Sequence, residues 1–246
     1  MTKKLFFILL IPAIAICLSF TDDWKQLDLG SFKISIPKEW NYEKEQGEDS
    51  FIGKFTGPKY PLEFDCSSMG YANPLISTEQ EYLAGDEWKG QSFFYKVGVI
   101  YTASFNVKNA RMEEMKKEGI TDSTLLKMKV DTIPDYKIKQ IHKPTAEQAK
   151  KYPKDDYIAD LTYRDSTIYV PIEIPVPTKE SNIRIDTTDK YIIKTIWPKV
   201  TGEGITGVYI KSRTSNFNFN LVGGGLTAKE QEQALQAFKT ITFKKK

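Results

Sequence analysis

The sequence predicts an α+β protein, built mainly from antiparallel sheet and flanked by a few helices. Three observations predict it. Apolar and polar residues alternate over short segments bounded by Gly, Pro and Asn, as in Ser31-Phe32-Lys33-Ile34-Ser35-Ile36-Pro37. Helical periodicity is confined to three short stretches. The strongest of these follows a capping box, Thr227 with Glu230, and turns Leu235 and Phe238 to one side.

The elements follow in order. Met1-Thr2-Lys3-Lys4 is short and positive, and an uncharged apolar run follows from Leu5 to Leu18. A bilayer-crossing helix needs ~20 apolar residues, so the run has the length of a signal-peptide core. A signal peptide is therefore expected over residues 1–19, with the mature chain starting at Phe20 after Cys17 and Ser19; Ala15 and Cys17 would serve nearly as well, with a start at Leu18. The competing cut lies before Cys17 and would leave a lipidated cysteine, but Ile16 is bulky for the position before it. The expectation is export to a periplasmic or extracellular place, or anchoring as a lipoprotein through Cys17. The chain meets a membrane only in that second case.

Phe32, Ile34 and Ile36 point inward from the first strand, and Pro37 ends it. Phe51 to Phe55 and Leu62 to Cys66 read as two more strands around the Gly57-Pro58 turn, with Leu62, Phe64 and Cys66 on one face. Phe93 to Val107 is rich in β-branched and aromatic residues and reads as one or two strands. Ala110 to Glu118 reads as a short helix. Thr145 to Tyr152 reads as another, with Thr145 and Gln148 in capping-box spacing and Pro153 as its stop. Ile168 to Val176 carries Pro171 and Pro175, which restricts it to an edge strand or an extended loop. Thr240 to Phe243 closes the chain as a strand. Val130 to Ile141 resembles Ile185 to Ile196 in register, matching Asp, Thr, Tyr, Ile, Lys and Ile. Either a duplicated β-unit or two independent uses of the same turn-then-strand grammar accounts for it.

Residues 20–246 are expected to form a single α+β domain, long enough for a self-sufficient core. Without Lys3 and Lys4 the formal charge of +3 falls to +1. Such a balanced chain has no electrostatic reason to seek nucleic acid.

Most catalytic chemistries lack their residues. The chain has one histidine, His142, so no zinc site of several histidines can form. With Cys17 removed, Cys66 stands alone and reads as a buried structural thiol. Gly202-Glu203-Gly204-Ile205-Thr206-Gly207 matches G-x-G-x-x-G, but strand-like Val208-Tyr209-Ile210 follows it where a nucleotide site needs a helix. Gly223-Gly224-Gly225 reads as a turn before the last helix. Ser35-Ile36-Pro37-Lys38 has the S-x-x-K spacing, yet it lies in a strand that ends at a proline. No cofactor and no metal is expected. A dispersed Asp/Glu pair remains open as a hydrolase.

One surface pattern points to binding. In Ser215-Asn216-Phe217-Asn218-Phe219-Asn220-Leu221 the apolar residues face the core, and Asn216, Asn218 and Asn220 line the other face. Asn is a poor strand former. The amide row beside Tyr209 or Trp197 is a candidate site for a polar ligand such as a glycan, against the plainer reading of a solvated outer face.

Gly30 to Trp40, a strand, then Pro37, then Trp40, resembles the opening of PsbP-like proteins, the family of the extrinsic photosystem subunit. Leu226 through Phe243 is similar to that fold's last helix and strand. The chain is likewise similar to secreted bacterial proteins that share both ends. The middle, about residues 70–183, has no counterpart and reads as a possible β-rich insertion. The resemblance implies an α/β/α sandwich and no catalytic residue. The resulting expectation is an exported, non-enzymatic binding or accessory domain with an unidentified protein or glycan partner. The alternatives are an extracytoplasmic hydrolase and a glycan-binding surface protein.

Overall fold

Phe32, Ile34 and Ile36 alternate with polar neighbours, and all three are completely buried in β2 (Phe32–Pro37). At roughly 1.5–3 kcal/mol for each such side chain, this strand is a major contributor to the core. It pairs antiparallel with β1 (Trp24–Asp28) and with the closing strand β13 (Thr242–Phe243). A computed structural model describes residues 23–85, 87–90, 136–163 and 166–244. The expected signal peptide with Cys17, the strands over Phe93 to Val107, the helix over Ala110 to Glu118 and residues 130–135 of the repeated segment lie outside these residues.

The described chain is α+β and dominated by antiparallel sheet, with four short helices. Its largest layer is a seven-stranded sheet. From edge to edge the order is β3 (Asn41–Lys44), β4 (Phe51–Thr56), β5 (Leu62–Ser67), β12 (Asn218–Gly224), β11 (Ile205–Ser212), β10 (Tyr191–Pro198) and β9 (Ser181–Thr187). Its inner face carries Phe55, Leu62, Phe64, Cys66, Val208, Ile210, Phe219 and Leu221. Against that face pack β2 and the helix α4 (Ala228–Phe238), which contributes Ala234, Ala237 and Phe238. The Thr227–Glu230 capping box satisfies the free N–H groups at the start of α4.

Besides this sheet and the three-stranded β1-β2-β13, a third sheet is formed by β6 (Tyr136–His142), β7 (Tyr157–Tyr163) and β8 (Ser166–Ile172). Its own core joins Ala159, Leu161, Val170 and Ile172 to Tyr82 and Trp88. Tyr82 belongs to α1 (Glu79–Ala84) and Trp88 to a 3-10 turn at Glu87–Gly90. The remaining helices are α2 (Ala146–Lys151), capped by Thr145 and Gln148, and α3 (Val176–Glu180), which leads directly into β9. Pro171 sits in β8, an edge strand among the described residues, where its missing N–H costs no ladder bond to β7.

The two resembling segments have different surroundings. Tyr136 to Ile141 lies in an edge strand of the small sheet, with Ile138 exposed. Tyr191 to Ile196 lies in β10, second from the edge of the large sheet, where the matching Ile193 packs on the main core. The glycine run before α4 is mostly strand: Gly223 and Gly224 pair with Thr206 and Ile205, and Gly225 alone turns, at φ +62°. In the G-x-G-x-x-G segment, Gly202 and Gly204 turn with positive φ, while Gly207 is already in β11.

Candidate functional site

The asparagine row is built differently from the expectation. The strand begins at Asn218, so Asn216 stays in the β11–β12 loop, exposed. Asn218 and Asn220 do share the outer face with Tyr209, which pairs with Asn220. Trp197 does not join them. It has the parity of Thr195, which pairs with the inward Val208, so it belongs to the opposite face.

The outer face is also covered there. Residues 68–78 cross it as an irregular strap, and the two amides hold the strap's backbone. Asn218 Oδ1 accepts from the Ala72 N–H at 3.0 Å, and its Nδ2 donates to the Ala72 carbonyl at 3.1 Å and to Tyr209 Oη at 3.3 Å. Asn220 Nδ2 donates to the Asn73 carbonyl at 3.1 Å, and its Oδ1 accepts from the Asp65 N–H. Asn218 and Asn220 are therefore buried and spent on protein partners. A strap without regular structure must find partners for its own N–H and C=O groups, and a strand amide offers both a donor and an acceptor.

The strap leads into α1, which is fixed from both sides. Lys194, buried in β10, donates to Glu81 at 2.7 Å and to the Ile76 carbonyl at 3.3 Å. From the small sheet, Tyr157 donates to Glu79, and Lys143 reaches Glu79 at 3.3 Å while lying 3.6 Å from the centre of the Tyr157 ring. The Tyr157 hydrogen bond is the main reason the Glu79 carboxyl titrates below its usual value. Helix α1 was not expected from the sequence. Its signal was present all the same: Thr78-x-x-Glu81 is a complete capping box.

His142, the single histidine, is also engaged. Its Nδ1 faces the Lys143 carbonyl at 2.7 Å and its Nε2 faces Asp160 Oδ1 at 3.1 Å. Both neighbours accept hydrogen bonds, so the doubly protonated ring fits best. The Lys143 carbonyl and then Asp160 raise the His142 pKa. Burial pushes the Asp160 pKa up, but hydrogen bonds from Gln140 and His142 outweigh it, and the net shift is downward. Cys66 and His142 belong to different sheets. Among the described residues no group of three or more His, Cys, Asp or Glu side chains gathers as a metal site.

The clearest carboxylate group is Asp155, Asp156 and Glu173. Burial, then Glu173 and Asp156, raise the Asp155 pKa. Asp156 is committed elsewhere, accepting from Lys179 Nζ and from the Ile174 N–H, both at 2.8 Å. Burial raises its pKa, yet these two contacts prevail and lower it.

The open concavity is at the other end of the main core. It has a volume of 1210 Å³ and lies between the β1–β2 turn, the β3–β4 hairpin, the β11–β12 loop and the end of β13. Half-buried Phe51, Tyr191, Phe217 and Phe243 form its floor, with Cys66 beneath. Phe217 meets Phe243 edge-on at 4.8 Å, and Tyr191 lies 5.4 Å from Phe243. Hydroxyls from Ser31, Ser50, Ser68, Ser212 and Thr214 stand around the floor. At the mouth, Lys244 pairs with Asp28 at 3.0 Å and Glu45 with Lys54 at 3.3 Å. None of Asn216, Asn218, Asn220, Tyr209 or Trp197 lines this pocket. Its walls come from six separated segments, so no local sequence signal marks it. Lys44, Glu48 and Asp49 line it too, so polar and charged residues outnumber the apolar ones around the aromatic patch; apolar surface with convergent polar groups is the form small-molecule sites commonly take. No family model matches the chain, and no curated protein matches it.

Proposed function

We propose that the protein is an exported, non-enzymatic binding or accessory domain whose ligand enters the aromatic pocket at the open end of the main core. The carrying observation is the pocket's cluster of Phe51, Tyr191, Phe217 and Phe243 among hydroxyl and charged side chains. Half-exposed rings at the end of a core favour a ligand with an apolar, flat or chain-like body. The hydroxyls and the charged Lys44, Glu45, Glu48, Asp49 and Lys244 suit a ligand that also carries polar groups.

The PsbP-like sandwich is part of the same proposal. The two segments that carry the resemblance lie together, since β13 pairs with β2 and α4 packs on β2. Export, with a start at Phe20 or a lipidated Cys17, rests on the N-terminal sequence pattern. Mass spectrometry of the native N-terminus separates these two forms.

The test of the pocket uses the fluorescent probe anilinonaphthalene sulfonate. Wild type is expected to bind it saturably. Phe217→Ala, which removes a half-buried ring, is expected to weaken binding by about tenfold, the equivalent of ~1.4 kcal/mol. Tyr60→Ala, which removes an exposed ring that does not line the pocket, is expected to leave binding unchanged. Equal binding by wild type and Phe217→Ala would place the ligand elsewhere.

A further inference from the structure

Strand β9 is the free edge of the seven-stranded sheet among the described residues. The backbone bonds that bracket its pairing with β10 fix which of its groups face outward. Thr188 N donates to the Tyr191 carbonyl, and Lys199 N donates to the Glu180 carbonyl, each at 2.8 Å. In the antiparallel register of β9 and β10, these are the even-numbered positions of β9. Hydrogen-bonded and non-bonded pairs alternate along such a ladder. Asn182, Arg184 and Asp186 therefore spend their backbone groups on β10. Ile183, Ile185 and Thr187 turn theirs outward.

We propose that a second copy of this chain docks on β9, antiparallel and centred on Ile185, so that the two seven-stranded sheets join into one. A two-fold interface of this kind is self-complementary only in certain registers. Centring on Ile185 places Arg184 opposite Asp186 of the second copy, and Asp186 opposite its Arg184. Those are non-bonded pairs, the positions where cross-strand side chains lie closest. Centring on Ile183 would set Asp186 against Glu180, and centring on Thr187 would set Arg184 against Lys190. Centring on Arg184 would set the two Arg184 side chains against each other, and centring on Asp186 the two Asp186 side chains. Of the five registers centred from Ile183 to Thr187, charge thus selects one. Within one copy Arg184 and Asp186 are exposed and joined at 2.8 Å, so both are already on the same face of the edge. On the other face Ile185, 44% exposed, and Ile192, 37% exposed, lie beside the seam. Docking would bring the two Ile185 side chains together there.

The seam is short, so the association is of the weak, concentration-dependent class. Sedimentation velocity of the purified protein over a range of concentrations tests it. Wild type is expected to move from monomer to dimer as concentration rises, with the amides of Ile183, Ile185 and Thr187 gaining protection from hydrogen exchange. Asp186→Arg alone and Arg184→Asp alone each bring like charges into opposition and are expected to weaken dimerisation at least about tenfold. An equal mixture of the two variants pairs Arg with Asp at every such position and is expected to associate as wild type does. The mixture also controls for folding, because both variants must be native to restore the dimer. Wild type that stays monomeric throughout, single variants that dimerise as wild type does, or a mixture no better than its components would each overturn the proposal.

Discussion

Replacing Asn218 with alanine removes one of the two amides that hold the strap to the sheet. Two groups of Ala72 lose their partner, the N–H that bonds Asn218 Oδ1 and the carbonyl that accepts from Nδ2. Ala72 is only 2% exposed, so neither group recovers water while the strap stays in place. At ~1–3 kcal/mol for each orphaned buried group, the cost is roughly 2–4 kcal/mol, limited above by the free energy needed to peel the strap into solvent. For a chain of this length that lowers Tm by roughly 5–15 °C. Urea unfolding measures the loss, and limited proteolysis across residues 68–78 reports the peeling. Asn216→Ala is the internal control: Asn216 is exposed, and the change is expected to stay within about 0.5 kcal/mol. The reasoning fails if Asn218→Ala is as stable as Asn216→Ala and its strap resists protease as well as wild type does.

His142 has a raised pKa, so its latch on the Lys143 carbonyl and Asp160 contributes in full below the unfolded value of about 6.5 and fades as pH rises through the folded value. The stability gap between wild type and His142→Gln should therefore be larger at about pH 5.5 than at about pH 8.5, and NMR of the single imidazole should give a midpoint above 6.5; a midpoint at or below it contradicts the geometry. Lys194→Met removes a 5% exposed lysine from Glu81, whose side chain is 43% exposed and can take up water. The loss should then be about 1–2 kcal/mol rather than the larger cost of stranding a fully buried charge, as read from urea midpoints.

What could be read from the sequence was local. Alternation placed Phe32, Ile34 and Ile36 inward, and capping boxes bounded α2 and α4, because each signal involves residues within a few positions of one another. Alternation also put Asn218 and Asn220 correctly on the face opposite Phe219. It could not say what covers that face, since the Ala72 that Asn218 binds is 146 residues away. The same limit hid the pocket, whose floor combines Phe51, Tyr191, Phe217 and Phe243 only after the strands have paired. Strand β7 was missed for another reason. Its Ile158, Ala159, Asp160 and Leu161 are all buried, so it lacks the half-solvated pattern that alternation detects.

The polar residues of the outer face have one physical explanation in common. An irregular strap can lie on a sheet only if the sheet supplies hydrogen bonds and leaves room. Asn218 and Asn220 supply the bonds at Ala72 and Asn73. Gly207 leaves the room: a Cβ there would come within 3.0 Å of Leu75 Cδ1. Leu75 itself sits at φ +63°, an uncommon state for a branched side chain, and its N–H is held by Asn73 Oδ1 at 2.8 Å. The positioned strap delivers Glu81 to Lys194 and Glu79 to Tyr157, and so docks the small sheet through α1. The amide row that looked like a ligand site is thus the joint between the two cores. Because the strap runs over the outer face, it leaves the aromatic end of the inner core uncovered among the described residues.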